Sequence, residues 1–233
     1  MKAMMVVLLL NGNQLLRSQT SAAKLPLLPA GSQPDERYII ERLQSAVSST
    51  QYAVRIYFHG ACGAGDTINL QFPKVDVLPP ETNQKGVQAI REMFRNDENV
   101  TISVDPSNVV RIIIGNVSRS LLDTKLSSVK LTTAAQFNPG GPGGAIDLLI
   151  ASKSIQEAMR KHQFHQEPSF YIGLEQPPSR KGHRLPVTIS DLSLDQALDT
   201  IAKTFPGVVM YGECDDTTKG HTIDIKFDWY QQQ

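Results

Sequence analysis

Residues 185–227 carry the most regular apolar pattern in the chain, and the pattern predicts four consecutive elements. Apolar and polar residues alternate over 185–190, which is typical of a strand with one buried face. Four apolar residues then recur at spacings of three and four, which places them on one side of a helix. They are Leu194, Ala197, Leu198 and Ile201. Two further strands, 207–211 and 221–227, complete a β-α-β-β unit.

The ends of this predicted helix carry recognisable signals. Ser193 or Asp191 can accept hydrogen bonds from the free N–H groups of the first turn, and Asp195 lies near the positive end of the helix dipole. Pro206 disfavours helical geometry at the residue before it, and Gly207 accommodates a turn. We therefore expect a helix from about residue 191 to residue 203.

An earlier part of the chain repeats the pattern. Gln88-Ala89-Ile90 and Gln196-Ala197-Leu198 lie 108 positions apart, and further apolar residues match at the same offset. Those matches pair Met93 with Ile201, Val100 with Val208 and Ile102 with Met210. We interpret this as a duplicated β-α-β-β unit, with a weaker third copy over 155–172. The predicted fold class is α+β, with small mixed or antiparallel sheets packed by helices.

The pattern divides the chain into four parts. Residues 1–33 are a signal-like segment and linker, and 34–120 form a first α+β unit. Residues 121–145 are a connection rich in glycine and proline, because 138–144 read Asn-Pro-Gly-Gly-Pro-Gly-Gly. Residues 146–233 form the second α+β unit, beginning with a helix over 147–162.

Composition argues against a nucleic-acid ligand. The chain has 233 residues with 23 basic and 23 acidic side chains, so no net field attracts polyanions. One tryptophan and no stripe of mixed basic and aromatic residues argue against a platform for single strands. The glycine run 60–65 lacks the spacing of dinucleotide-binding loops, and no Walker motif occurs, so the sequence predicts no cofactor.

The N-terminus and the two cysteines bear on the compartment. Residues 1–10 place a lysine before a short apolar run, and Ser21-Ala-Ala23 has the small residues of a cleavage site, so we expect export to the periplasm or beyond. The alternative is a cytoplasmic protein in which this run is a buried N-terminal strand. The run is too short to span a bilayer, and we expect no transmembrane segment. Cys62 and Cys214 are compatible with one disulfide in an oxidising compartment or with two separate thiols, and the sequence leaves both open.

Two patterns suggest chemistry, and neither is complete. The loop 140–144 resembles the glycine-proline oxyanion loop of proline-iminopeptidase-like α/β-hydrolases, but no Gly-x-Ser-x-Gly elbow accompanies it. His59, Cys62, His162 and His165 have spacings that a metal can use, as two unlike pairs far apart in the chain. A small hydrolase is therefore the alternative hypothesis and a metal-binding protein a lesser one, and no catalytic, cofactor or metal residue is assigned. The carboxylates of Asp195 and Asp199 are interpreted as an ordinary helix face.

The stretch from Val187 to Ala202, with the strands that follow, resembles the short N-terminal domain of secretins and TonB-dependent transporters. The matching residues are Val187, Ile189, Leu194, Ala197, Leu198, Ile201 and Tyr211. This resemblance implies a bacterial, periplasmic module that performs no catalysis and binds another envelope protein through strand edges and helix faces. Because no barrel or pore sequence follows Phe227, we expect a free-standing or accessory protein. The first functional hypothesis is thus a non-enzymatic envelope interaction module.

Overall fold

A computed structural model describes nine segments of the chain, within which five helices are present. The segments are 36–47, 50–62, 86–95, 97–131, 141–166, 171–172, 185–205, 207–216 and 222–231. The helices are α1 (Glu36–Val47), α2 (Val87–Met93), α3 (Gly141–Ile150), α4 (Lys153–Lys161) and α5 (Leu194–Thr204). Residues 67–72, for which the sequence also predicts the start of a strand, lie outside the described residues.

Nine strands accompany these helices in the described segments. The first five are β1 (Ala53–Ala61), β2 (Val100–Val104), β3 (Val109–Ile114), β4 (Val129–Lys130) and β5 (Phe164–Gln166). The others are β6 (Tyr171–Ile172), β7 (Thr188–Ile189), β8 (Gly207–Asp216) and β9 (Thr222–Gln231). Helices and mixed sheets together confirm the predicted α+β class.

Seven strands form one mixed sheet in the order β2-β3-β1-β8-β9-β5, with β6 also paired to β9. Strands β3, β1 and β8 run parallel, whereas β2 and β9 are antiparallel to their neighbours β3 and β8. Strands β4 and β7 form a separate antiparallel pair. Strand β1, from the predicted first unit, and β8, from the second, are therefore central neighbours in a single sheet.

Two apolar layers cover the two faces of the sheet. One layer contains buried residues of α3, α4 and α5, and the other contains buried residues of α1 and α2. We call these sides the α5 face and the α1 face. Alternation assigns Val54, Ile56 and Phe58 of β1 to the α1 face, and Ala53 and Tyr57 to the α5 face. Because both faces are covered, β1 is buried on both sides.

Helix α5 is well specified by its local sequence. Of the two capping candidates, Ser193 is the cap: its Oγ accepts from the N–H of Gln196, and the Gln196 side chain accepts from the N–H of Ser193. After the helix, Gly207 lies inside β8 rather than in a turn. A Cβ at that position would collide with the carbonyl oxygen of Tyr230 on β9, so a side chain is excluded there.

The structure corrects the extent of the Gly/Pro-rich connection predicted for 121–145. It contains β4, and its last residues, from Gly141 onward, form the first turn of α3. First-turn N–H groups have no partner within a helix, so Pro142 costs no hydrogen bond there, and the apolar residues that follow bury the helix.

The single helix predicted over 147–162 is also wrong, since α3 ends at Ile150 and α4 begins at Lys153. Between them, Ser152 is extended (φ −64°, ψ 145°), and its Oγ donates to the carbonyl of Leu149 at 2.6 Å. A side chain that bonds locally to the backbone in this way competes with helix continuation. No helix in the described segments has the length and apolarity to cross a membrane.

Candidate functional site at the carboxyl ends of the parallel strands

The strand order reverses between β1 and β8, and polar residues lie at the carboxyl ends of these two strands. From β1 the chain passes to β3 on one side, with α2 on the α1 face, and it later returns to β8 on the other side, with α5 on the opposite face. In sheets with parallel strands, ligands bind outside the carboxyl ends at such a switch point. The residues at these ends of β1 and β8 are therefore the candidate site.

His59 lies at the centre of this site on the α5 face. Its Nδ1 is 2.9 Å from Oε1 of Glu213, and its Nε2 is 3.2 Å from Oδ2 of Asp215. The His59 side chain is 25% exposed and that of Asp215 is 64% exposed, whereas Glu213 is fully buried. Both contacts can be hydrogen bonds only when both ring nitrogens carry a proton.

The buried carboxylate of Glu213 is held by three groups. Besides His59, it accepts from the backbone N–H of Ser118 and, at 2.9 Å, from the hydroxyl of Tyr211. Burial raises the pKa of Tyr211 well above its ordinary value, and the charge of Glu213 raises it further. Tyr211 therefore stays a neutral donor, and Glu213 orients the Nδ1 side of the His59 ring.

A buried network of charges lies between β1 and α5, around Arg55, which precedes His59 by four residues on β1. Arg55 is 0% exposed, and its Nη1 donates to Oδ1 of Asp199 at 2.7 Å and to the backbone carbonyl of Asp195 at 3.0 Å. Its Nη2 donates to Oδ1 of Asp195 at 3.1 Å, and the guanidinium lies 4.9 Å from the ring centre of Tyr57. Asp195 and Asp199 thus share one face of α5, as the spacing indicates, and that face is turned towards the sheet.

Tyr57 and Arg111 extend the network towards β3. The Tyr57 hydroxyl donates to Asp195 at 2.7 Å and accepts from Arg111. Arg111 also bridges Asp199 and Asp105, with a contact of 2.9 Å to Asp105. Desolvation raises the pKa of Tyr57 far above its ordinary value, although the charge of Arg55 opposes this. Desolvation lowers the pKa of Arg111, but the hydrogen bond to Asp199 and the charges of Tyr57, Asp199 and Asp195 together outweigh it and raise that pKa, so the guanidinium stays charged.

Arg119 closes the network on the outer side of Asp195, to which its Nη2 donates at 2.9 Å. Burial raises the pKa of Asp195, but the charge of Arg55 and hydrogen bonds from Tyr57 and Arg119 outweigh it and hold that pKa below its ordinary 3.8. The network contains three arginines and four aspartates, because Arg119 also pairs with the exposed Asp123 at 2.8 Å. Every carboxylate in it is occupied by a cationic partner, so the arrangement fixes α5 on the sheet and leaves no carboxylate free as a base.

Of the described residues at this site, His59 has the geometry most suited to acid–base chemistry. A carboxylate that holds one ring nitrogen while the other faces outward is the arrangement of a general acid or base. Among the described residues, however, the hydrogen bonds of the His59 ring go to Glu213 and Asp215 and not to a hydroxyl or thiol. The residues described here therefore form a charged, partly exposed patch and do not assemble a nucleophile.

The four residues of the metal-binding hypothesis, His59, Cys62, His162 and His165, do not all lie on one side of the sheet. His59 lies on the α5 face, whereas Cys62 packs on the α1 face and forms a disulfide with Cys214. His162 follows α4, and His165 lies on β5 with its Nδ1 3.4 Å from Oδ1 of Asp224.

The disulfide closes the carboxyl end of the β1–β8 pair on the α1 face. The S–S distance between Cys62 and Cys214 is 1.97 Å, the Cα atoms are 5.1 Å apart, and 152 positions separate the two residues. Of the two states that the sequence left open, the structure has the bridged one.

Six of the seven residues that carry the secretin-like resemblance are buried. They are Ile189, Leu194, Ala197, Leu198, Ile201 and Tyr211. Val187 lies at the surface instead, 52% exposed, because it occupies a bend just before the two-residue strand β7 and the alternation does not reach it.

Comparison of the chain with family models, with curated proteins and with solved structures finds no match.

The sequence analysis did not predict the buried charges, although the sequence carries two signals for them. Asp195 and Asp199 share the helix side of Leu198 and Ala202, so their spacing was a usable signal. Arg55, Tyr57 and His59 alternate along β1, and that period also marks a common face.

Proposed function

We propose that this chain is an exported, non-enzymatic module of the bacterial cell envelope that binds another protein by strand addition to β2. The observation that carries the proposal is the outer edge of β2, the last strand of the sheet order. The envelope setting rests on the resemblance of residues 185–227 and on the disulfide.

The outer edge of β2 presents backbone groups in a regular row. Asp105 N–H donates to the carbonyl of Val109 at 3.1 Å, and Gly115 N–H donates to the carbonyl of Asn99 at 3.1 Å. Odd-numbered positions of this antiparallel pair are therefore the ones that bond to β3. It follows that Ile102 and Val104 direct their N–H and C=O groups away from the sheet.

The composition of β2 favours a partner strand. Natural edge strands are usually protected by lysine, proline or a bulge, because an open edge pairs with other chains. Strand β2 reads Val-Thr-Ile-Ser-Val and contains neither a charge nor a proline. Val104 is 37% exposed, one of the large apolar side chains most exposed in the described segments. We infer that the occupant is an extended, uncharged segment of a partner protein, added through main-chain hydrogen bonds.

The disulfide supports the exported location. Disulfides persist in oxidising compartments and are rare in the cytosol. Cys62 and Cys214 join strands from the two halves of the chain, so the bridge constrains a long loop of the unfolded chain and stabilises the fold. A cytosolic chain would not keep this bridge.

Two exposed valines provide a matched test of strand addition. A photo-crosslinking amino acid is placed at Val104 or at Val187, and each variant is expressed in the cells of origin and irradiated. We expect one discrete crosslinked product from position 104 and none from position 187. Added chain without a crosslinker should compete with the labelled chain for that partner. The Val104→Lys variant should fail to compete, whereas the Val187→Lys variant should compete as wild type does.

Three results would count against strand addition. Equal crosslinking at both positions would mean non-specific contact, and no crosslinking at position 104 would remove the β2 edge as the binding surface. A product with twice the mass of the chain would show that the occupant is a second copy of this protein, which would replace the proposed partner.

Export is tested separately by the intact mass of the protein recovered from its native cells. We expect loss of about the first twenty-three residues and two cysteines that resist alkylation until they are reduced. A full-length mass with two free thiols would place the protein in the cytosol and contradict the envelope proposal.

A further inference from the structure

Four side chains of metal-binding type lie in a row across neighbouring strands on the α1 face. Cys62 follows β1, and Cys214 lies on β8. Cys214 is paired directly with Asp224 of β9, and Asp224 is paired directly with His165 of β5. Because directly paired residues project to the same face, the sheet register itself aligns this row.

Three of the four side chains are already close together. One potential ligand atom from each of Cys62, Cys214 and Asp224 lies within 4.8 Å of the other two. Cys214 and Asp224 are buried, and Cys62 is half-buried, so a bound ion would be largely shielded from water. His165 is exposed, with its Nδ1 3.4 Å from Oδ1 of Asp224.

The donor set determines the class of ligand. Two thiolates, one carboxylate and a nearby imidazole are the donors that Zn²⁺ takes in tetrahedral sites. Two thiolates on one tetrahedral zinc lie about 3.8 Å apart, as follows from a Zn–S distance of about 2.3 Å. That separation fits inside the 4.8 Å that spans the three ligand atoms. While the cysteines are bridged, their sulfurs are not thiolates and the set is incomplete.

We propose that reduction of the disulfide converts this cluster into a binding site for one thiophilic divalent cation such as Zn²⁺. Cys62, Cys214 and Asp224 are the three protein ligands, and His165, whose Nδ1 lies 3.4 Å from Oδ1 of Asp224, supplies the nitrogen for the fourth position. The proposal does not rest on binding at the β2 edge. It concerns the chain in a reducing environment, where the bridge opens.

Formation of the metal site takes two steps, reduction of the disulfide and then binding of the metal. A dithiol reductant donates two electrons and two protons to the bridge, which gives two protein thiols and the oxidised, cyclic disulfide of the reductant. Zn²⁺ then binds the two sulfurs and releases their two protons. Both thiolates are thereby held on the metal, so the metal must be lost or displaced before the bridge forms again.

The test uses the purified full-length chain and Co²⁺ as an optical probe, with Zn²⁺ as competitor. Reduction uses a phosphine, which is oxidised to its oxide and leaves no dithiol to compete for the metal. We expect one Co²⁺ per reduced chain, with thiolate-to-metal charge-transfer absorption that Zn²⁺ abolishes. The oxidised chain and the reduced, alkylated chain should show no such absorption.

Matched variants assign the ligands. Asp224→Asn should weaken Zn²⁺ binding by about tenfold or more, the scale at which loss of a metal-site partner acts. Asp215→Asn is its control, since Asp215 is the next residue after Cys214 but faces the opposite side of the sheet. His165→Ala should weaken binding by a smaller factor, and His162→Ala should leave it unchanged.

If a variant fails to fold, the alkylation rate of the two thiols in the wild-type chain still tests the metal site. Bound Zn²⁺ should slow alkylation of both thiols in the reduced wild-type protein, and a chelator should restore the rate. Absence of Co²⁺ charge transfer in the reduced chain would overturn the proposal. Equal binding by wild type and Asp224→Asn, or equal binding by the oxidised and reduced chains, would also overturn it.

Discussion

Two helix–hairpin units of this protein share a local pattern and differ in what their helices bring to the sheet. The first unit is α2, β2 and β3, and the second is α5, β8 and β9. At the offset of 108 positions, Ile90 corresponds to Leu198, and both are fully buried. Both units place the helix before an antiparallel hairpin, and the two helices lie on opposite faces of the sheet.

The difference lies at the positions that precede and follow the shared apolar residues. Asp195 and Asp199 of α5 correspond to Val87 and Arg91 of α2. Helix α5 is therefore tied to β1 and β3 by charged hydrogen bonds, whereas α2 contacts an apolar layer. The second hairpin is also central, whereas the first ends at β2, the outermost strand among the described residues. The same apolar template thus produces one unit anchored by charges and one that lies at the end of the described sheet.

The largest expected effect is the removal of Arg55 from the second unit. Arg55→Met leaves Asp195 and Asp199 buried without their main counter-ion, and loss of one partner from such a network costs about 3–5 kcal/mol of unfolding free energy. Urea denaturation of the oxidised chain measures the loss. The matched control is Arg95→Met after the first unit's helix, where Arg95 is 67% exposed and pairs with Glu92. If both variants lost the same stability, the units would not differ as described.

The second largest expected effect is the removal of the disulfide that links the end of β1 to the second unit. Replacing Cys62 and Cys214 by serine and alanine should lower the unfolding free energy by about 2–4 kcal/mol, because the unfolded chain regains the freedom that the bridge removes. The check is denaturation of this variant beside wild type with and without reductant. Wild type under reducing, metal-free conditions should match the variant, and a variant as stable as oxidised wild type would contradict the prediction.

The charges of the second unit also predict a dependence on pH. The pKa of Asp195 is lower in the folded chain than its ordinary 3.8, so its contribution is present above that value and is lost as the pH falls through the folded pKa. Stability should therefore decline below about pH 4, and Asp195→Asn should reduce the slope while lowering stability at pH 7. An unchanged slope in the variant would assign acid sensitivity to other carboxyls.

At high pH the sign reverses for Tyr57 and Tyr211. Their pKa values are raised by burial above the ordinary 10.0, so the stability that they contribute is present below that pH and is lost as the pH rises beyond it. Absorbance titration should show these two tyrosines ionising only when the chain unfolds. Ionisation of every tyrosine near pH 10 without unfolding would contradict the buried network.

The smallest expected effect is at the β2 edge. Val104→Lys should change the unfolding free energy by less than about 0.5 kcal/mol, since the side chain is partly exposed and charged residues are common on edge strands. Thermal denaturation measures this, and it also shows that any loss of partner crosslinking is not a loss of fold. A large destabilisation would mean that β2 is covered, and would remove the contrast between the units.

Local patterns in the sequence determined most of the elements. The helix with Leu194, Leu198 and Ile201 and the strands β1, β3 and β9 follow from spacing and alternation, because these depend on neighbours in the chain. The sequence offered Ser193 and Asp191 as the capping residue, and the structure decided for Ser193. The α+β class followed from the same signals. The break at Ser152 did not, since one hydroxyl bonding to a nearby carbonyl has little signature in a periodic pattern.

Only the tertiary structure decided which polar residues are buried together. Arg55 and Asp199 are 144 positions apart, and Cys62 and Cys214 are 152 apart, so their meeting depends on the order of strands in the sheet. That order is set by how helices from distant segments cover both faces of β1, a choice that no local spacing encodes. The sequence by itself therefore determined the elements and their apolar faces. The strand order decided the charge network, the position of His59 between two carboxylates, and the place of β2 at the end of the described sheet.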